Sequence, residues 1–143
     1  MINSYSKNTG ILASLLFCAL VMLFLPPTLH AQHGHPLVGT WSGYLNQEGR
    51  EPLRVLFTFS FSVDQVISGA FIAAGKRFPY TTAELDPDTW TITLTAQGQN
   101  RAGATLAYQL VGQIENLDSP TQRTIAGTWQ EGLDRGDFRI VIN

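Results

Sequence analysis

Cysteine is nearly absent from this sequence. Cys18 is the single one among 143 residues, so no disulfide can close within the chain. Charge is sparse as well: Asp, Glu, Lys and Arg make up 14% of residues, against about a quarter in an ordinary domain. Nine Lys and Arg against eleven Asp and Glu leave a net charge of -2, so there is no basic surplus with which to grip a nucleic-acid backbone. The three histidines, His30, His33 and His35, all crowd near the N-terminus. A Ser-His-Asp or Cys-His site therefore has almost no material. There is no phosphate loop, and beyond residue 31 there is no helical periodicity. These scarcities lead us to expect no enzyme, no catalytic residue, no cofactor, no metal and no nucleic-acid partner. What is abundant is apolar residue, at 44%, enough to bury a core and to exclude wholesale disorder. The length suits one domain.

Residues 11–25 read ILASLLFCALVMLFL, fifteen apolar or small residues without a charge. Lys7 precedes the run, Pro26 and Pro27 follow it, and Leu29-His30-Ala31 ends on a small residue. The pattern is that of a secretory signal peptide spanning 1–31, cleaved after Ala31. The run falls short of the roughly 20 residues a membrane span needs. Phe17 stands before Cys18 where a lipid-attachment signal would want a small residue. The expected product is an exported chain, periplasmic or extracellular, with no membrane attachment after cleavage. Residues 32–143 carry eight basic and eleven acidic side chains, net -3, and no cysteine. Export without a disulfide points to a bacterial source. Residues 32–36 are expected to form a flexible tail.

From residue 37 to 143 the pattern has period two. Between Pro52 and Val63, Leu53, Val55, Phe57, Phe59, Phe61 and Val63 share one face, with Arg54, Thr58, Ser60 and Ser62 on the other. Residues 89–96 alternate threonine with Trp90, Ile92, Leu94 and Ala96. Ala104, Leu106, Tyr108, Leu110 and Ile114 form a third such face, and Phe138, Ile140 and Ile142 a fourth. One buried and one wet face per strand is the mark of antiparallel sheet. Seven turn signals, among them Asn46 to Arg50, Asp86-Pro87-Asp88 and Glu131 to Gly136, separate eight strands at about 37–46, 52–63, 66–74, 77–85, 89–97, 103–114, 122–130 and 136–142. Short sequential connections favour an up-and-down meander. Eight strands also suffice to close a barrel and remove both edges. The expected fold is all-β, an eight-stranded antiparallel up-and-down barrel, with a two-sheet sandwich as the alternative. Gly39, Gly43, Gly69, Gly112 and Gly127 fall inside strands, where they permit bends and close approach.

Val38-Gly39-Thr40-Trp41 in the first strand is echoed by Ala126-Gly127-Thr128-Trp129 in the seventh. The opening Leu37-Val38-Gly39-Thr40-Trp41-Ser42-Gly43 resembles the Gly-x-Trp start of lipocalins and the wider calycin group. It is similar to the small lipocalin-like domain that precedes some secreted bacterial α/β-hydrolases. The shared features are the start from Gly39 to Leu45, the Leu53 to Phe57 strand, Ser68-Gly69, Leu110-Val111-Gly112, and the close from Ile125 to Gly132. They cover nearly all of residues 37–143, and they imply a barrel that can hold a small apolar ligand in its lumen. The chain departs from that arrangement in having no Gly-x-Ser-x-Gly elbow. Avidins share the Gly-Thr-Trp opening, but no set of polar biotin contacts maps onto the chain.

The lumen is thus the candidate site. Trp41, Phe57, Phe59, Phe61, Trp90, Tyr108, Trp129 and Phe138 point inward by parity. If the lumen is open, Trp41, Phe57, Phe59, Trp90, Tyr108 and Trp129 wall an apolar pocket, with polar handles on the tryptophans and Tyr108. If those rings fill it, function moves to the loops. The chain then works as an interaction or accessory module for an exported protein partner, of which an inhibitor is one kind. His33-Gly34-His35 is expected to be solvated, and Glu84, Asp86 and Asp88 to form a charged turn rather than a calcium loop.

Overall fold

The computed structural model describes residues 35–100 and 102–143. The expected signal peptide at 1–31 and residues 32–34 lie outside them. The described residues form eight strands: β1 (Gly39–Asn46), β2 (Leu53–Phe61), β3 (Ile67–Ala73), β4 (Lys76–Asp86), β5 (Thr91–Gln99), β6 (Thr105–Glu115), β7 (Thr124–Glu131) and β8 (Asp134–Ile142). Each pairs antiparallel with its sequence neighbours. β1 also pairs with β8, from Trp41↔Ile142 to Asn46↔Asp137, and this ladder closes the barrel. The fold is the all-β, closed, up-and-down barrel that the alternation implies, and no sandwich forms.

The barrel has two unlike ends. At the termini end lie residues 35–38, Asn143 and the connections 62–66, 87–90 and 116–123. At the hairpin end lie the connections 47–52, 74–75 and 132–133, with residues 100 and 102–104. Two boundaries differ from the sequence pattern for local reasons. β2 stops at Phe61 because Ser62 starts a tight turn, donating its N–H to the Val66 carbonyl while accepting from Gln65 N–H. Val63 therefore leaves the strand pattern and is 98% exposed, while Phe61, the last residue of β2, lies at the rim and is 38% exposed. β5 begins at Thr91 because the Asp86 carboxylate caps the preceding turn, accepting from Asp88 N–H and Thr89 Oγ1. Trp90 closes that turn in the left-handed region, with φ at 54°.

The interior is packed with rings set against glycines. Phe59 is paired with Gly39 on one side and Gly69 on the other. Phe138 faces Gly127, which in turn faces Gly112. A Cβ on Gly127 would lie 2.0 Å from the Val111 carbonyl oxygen and 2.4 Å from the Gly112 Cα. One on Gly112 would lie 2.7 Å from the Phe138 ring. Bare backbone opposite an aromatic side chain lets the ring lie across the neighbouring strand, which pins register and curvature together.

β4 changes partner along its length. Its first part pairs with β3, from Ala73↔Lys76 to Ala70↔Pro79. Its remainder pairs with β5, from Tyr80↔Ala96 to Asp86↔Thr91, with a bulge between Tyr80 and Thr82. Pro79 stands where pairing with β5 would continue toward Gln97, and proline has no N–H to give. The bulge twists the rest of β4 away from β3. It also shifts the parity, so that Phe78 and Tyr80 point inward before it and Ala83 and Leu85 after it.

Candidate functional site

The six proposed lumen residues lie at different depths in the barrel. Trp41 and Phe57 are fully buried and Phe59 nearly so. Around them runs a chain of stacked rings, with Phe57 to Phe71 at 5.2 Å, Phe71 to Phe78 at 4.9 Å and Phe57 to Phe138 at 6.1 Å between centroids. Tyr108 meets Phe71 edge-on at 5.0 Å and Phe78 at 4.9 Å. These spacings are those of aromatic contact. Trp41, Phe57 and Phe59 belong to the hydrophobic core in the middle of the barrel. Phe71 and Phe78, which the sequence reading did not single out, are central to it. Their strands carry short or interrupted alternation: Ala70 and Phe71 are buried in succession, and the bulge divides β4.

The other three residues sit at the two ends. Trp90 lies at the termini end, part-buried against the core. Tyr108 and Trp129 lie 6.3 Å apart at the hairpin end. There they floor a hollow of about 160 Å3 together with Leu45, Arg50, Glu131 and Asp134. Trp129 Nε1 donates to the Asn46 carbonyl at 3.0 Å. Arg50 and Gln47 both reach the Asp134 carboxylate, at 3.3 and 3.0 Å. Burial raises the Tyr108 pKa, and the Glu131 and Asp134 carboxylates add to the shift. The hydroxyl therefore stays protonated and able to donate. This mouth offers two aromatic faces, a phenol and acceptor carboxylates.

The termini end is plugged. Leu37 is buried, and its carbonyl accepts from Trp41 Nε1 at 2.8 Å. Arg123, also buried, spans the same end, with Nε donating to the Leu117 carbonyl at 3.3 Å and a terminal nitrogen to the Pro36 carbonyl at 3.2 Å. His35 stacks on Phe61 at 3.9 Å, and burial lowers its pKa. Within the stretch expected to be a tail, His35 and Pro36 are thus held on the barrel. Arg123 drew no notice in the sequence, although a lone cation just before an apolar strand was the available signal.

Beside the plug the barrel wall is open. β3 and β4 have no paired residues beyond Ala70↔Pro79, so Ile67–Gly69 and the part of β4 past the bulge diverge. The gap between them holds a hollow of about 510 Å3, lined in part by His35, Phe61, Ile67, Ala83, Glu84 and Leu85. Near its apex the Tyr80 ring lies 5.3 Å from Phe59, and its hydroxyl is buried without a hydrogen-bond partner. Burial pushes the Tyr80 pKa far up.

Among the described residues no group of three or more His, Cys, Asp or Glu side chains is placed to hold a metal ion, and no helix is long and apolar enough to cross a membrane. No protein-family model, no curated protein and no solved structure matches the chain.

Proposed function

We propose that this chain is an exported, non-enzymatic, lipocalin-like barrel that acts by binding another protein at its rim. The observation that carries the reading is the continuous ring packing from Phe138 through Phe57, Phe71 and Phe78 to Tyr108. A ligand in the lumen would have to displace several of these rings from their contacts. With the lumen occupied by the protein's own side chains, the surfaces left for recognition are the loops and the breaks in the wall. Export is supported by the apolar run 11–25 with Lys7 before it and Leu29-His30-Ala31 after it.

The competing reading puts a small apolar ligand in the lumen. Titration with a benzene-sized probe, read by tryptophan fluorescence, separates the two. The rim reading expects no saturable change in the wild type. It expects saturable binding in Phe71→Ala, where removal of a fully buried ring opens a dry apolar cavity. Saturable binding by the wild type, displaced by longer apolar molecules, would reject the rim reading in favour of the lumen.

A further inference from the structure

The opening between β3 and β4 exposes backbone as well as side chains. In an antiparallel ladder, successive residues direct their N–H and C=O groups to opposite neighbours. Ser62 N–H bonds the Val66 carbonyl, which sets the β2–β3 alternation so that Ser68 and Ala70 face β2. Ile67 and Gly69 then direct their groups toward β4. On the other side, Ile114 N–H bonds the Trp90 carbonyl, which sets the β5–β6 alternation so that Thr91, Thr93 and Thr95 face β4. Their partners Asp86, Glu84 and Thr82 face β5, so Ala83 and Leu85 direct their groups toward β3. Two strand edges therefore face one wedge, with no ladder between them. Exposed edges of this kind template pairing with another extended chain.

The side chains around the wedge specify what kind of chain fits. Phe61, Val63 and Val66 are exposed apolar residues on the β2–β3 turn. The connections and strand ends at the termini end carry Asp64, Glu84, Asp86, Asp88, Glu115 and Asp118. Of these, Glu115 is tied to Arg139 at 3.2 Å. Arg123 is buried and committed to the Pro36 and Leu117 carbonyls. By contrast, Arg50, Arg54, Lys76, Arg77 and Arg135 all lie toward the hairpin end. Those cations are balanced there by Glu48, Glu51, Glu131, Asp134 and Asp137, so the wedge opens at the end that carries the acidic excess.

We infer that the wedge between β3 and β4 is the docking site for an extended, basic segment of a partner protein, which adds main-chain hydrogen bonds to the free edges of both strands. Its apolar side chains pack on Phe61, Ile67 and Leu85, and its cations meet Asp64 and Glu84. The inference deepens the rim reading and rests on it.

The test uses a capped hexapeptide alternating arginine and valine as the probe. Amide hydrogen exchange should slow about tenfold or more at Ile67, Gly69, Ala83 or Leu85 on saturation, and not at Gln109 or Thr128 on the far wall. N-methylation of alternate peptide amides should abolish the protection. Replacing arginine by glutamate in the peptide, or Asp64→Lys with Glu84→Lys in the protein, should weaken binding about tenfold or more, and added salt should do the same. No protection at the wedge amides at about 1 mM peptide overturns the inference. So does protection confined to the hairpin-end hollow, or a concentration-dependent dimer that occupies the wedge instead. Failure of the rim reading is a separate result, seen as wild-type lumen binding of the apolar probe.

Discussion

Replacing Phe57 by alanine removes the ring on which the interior stack is centred. Phe57 is fully buried and lies within 6.2 Å of Phe59, Phe71 and Phe138. Losing the transfer free energy of a buried ring costs about 2 kcal/mol. The neighbours cannot close the gap easily, because Phe59 is seated against Gly39 and Gly69 and Phe138 against Gly127. A residual cavity of about 100 Å3, at about 24 cal/mol per Å3, adds about 2 kcal/mol more. The sum is about 4 kcal/mol, a large share of a domain's stability. It corresponds to a fall in Tm of about 16 °C at about 4 °C per kcal/mol. Urea unfolding followed by tryptophan fluorescence, with thermal circular dichroism beside it, measures both. The midpoint should fall with the m-value unchanged. A loss under about 1.5 kcal/mol would mean that the stack collapses freely or that Phe57 borders empty space, and either refutes the filled interior.

Four further outcomes are expected. Gly127→Ala should destabilise by about 3 kcal/mol, at the upper end of overpacking costs, because its Cβ would overlap backbone of Val111 and Gly112; urea midpoints measure it, and a neutral result would refute the close approach. Tyr80→Phe should stabilise by about 1 kcal/mol by removing a buried hydroxyl with no partner, and a loss instead would show that the hydroxyl is paired. The same change should flatten alkaline unfolding, since a phenol whose folded pKa is raised holds its proton while the unfolded chain releases one above pH 10, so stability falls as pH rises. His35 behaves in the opposite sense. Its pKa is lowered by burial from 6.5, so the unfolded chain binds the extra proton and stability falls as pH drops through and below 6.5. His35→Phe should remove that part of the slope in pH-dependent denaturation, and an unchanged slope would detach His35 from the barrel.

The strands were legible because each presents its own period-two pattern and its own punctuation. β2 shows this in Val55, Phe57 and Phe59, and β5 in Ile92, Leu94 and Ala96. Parity failed where a turn or bulge changes direction within an apolar run. Val63 continues the β2 pattern on paper, yet the turn at Ser62 puts it in solvent, and Phe61 before it is left at the rim against His35. Trp90 belongs to a turn that Asp86 caps rather than to β5, yet it still packs against the core as its parity implies. The site was less legible than the fold. Whether eight large rings fill a lumen depends on how deeply each lies over its neighbour's backbone, and that is set by cross-strand glycines far apart in sequence. The wedge was invisible for a similar reason. It arises where Pro79 and the bulge after Tyr80 hand β4 from one neighbour to the other, a relation between three strands that no single strand's pattern encodes.

The β1–β8 ladder also sets the order of events in folding. Every other ladder joins neighbours along the chain and can form locally. This one joins Trp41 to Ile142 and is reinforced by Ser42 Oγ on the Asn143 side chain, 101 residues away in sequence. Until β8 is in place, the open sheet keeps two free outer edges, one on β1 and one on the last strand formed. Trp41 packs on the inner face of β1, so its burial also waits on closure. Tryptophan burial should therefore report the last step rather than the first, and that step carries the entropic cost of the longest loop in the molecule. A chain truncated before Asp134 would be left with the edge of β1 exposed and ready to pair with another copy, so aggregation rather than partial function is the expected fate of incomplete chains.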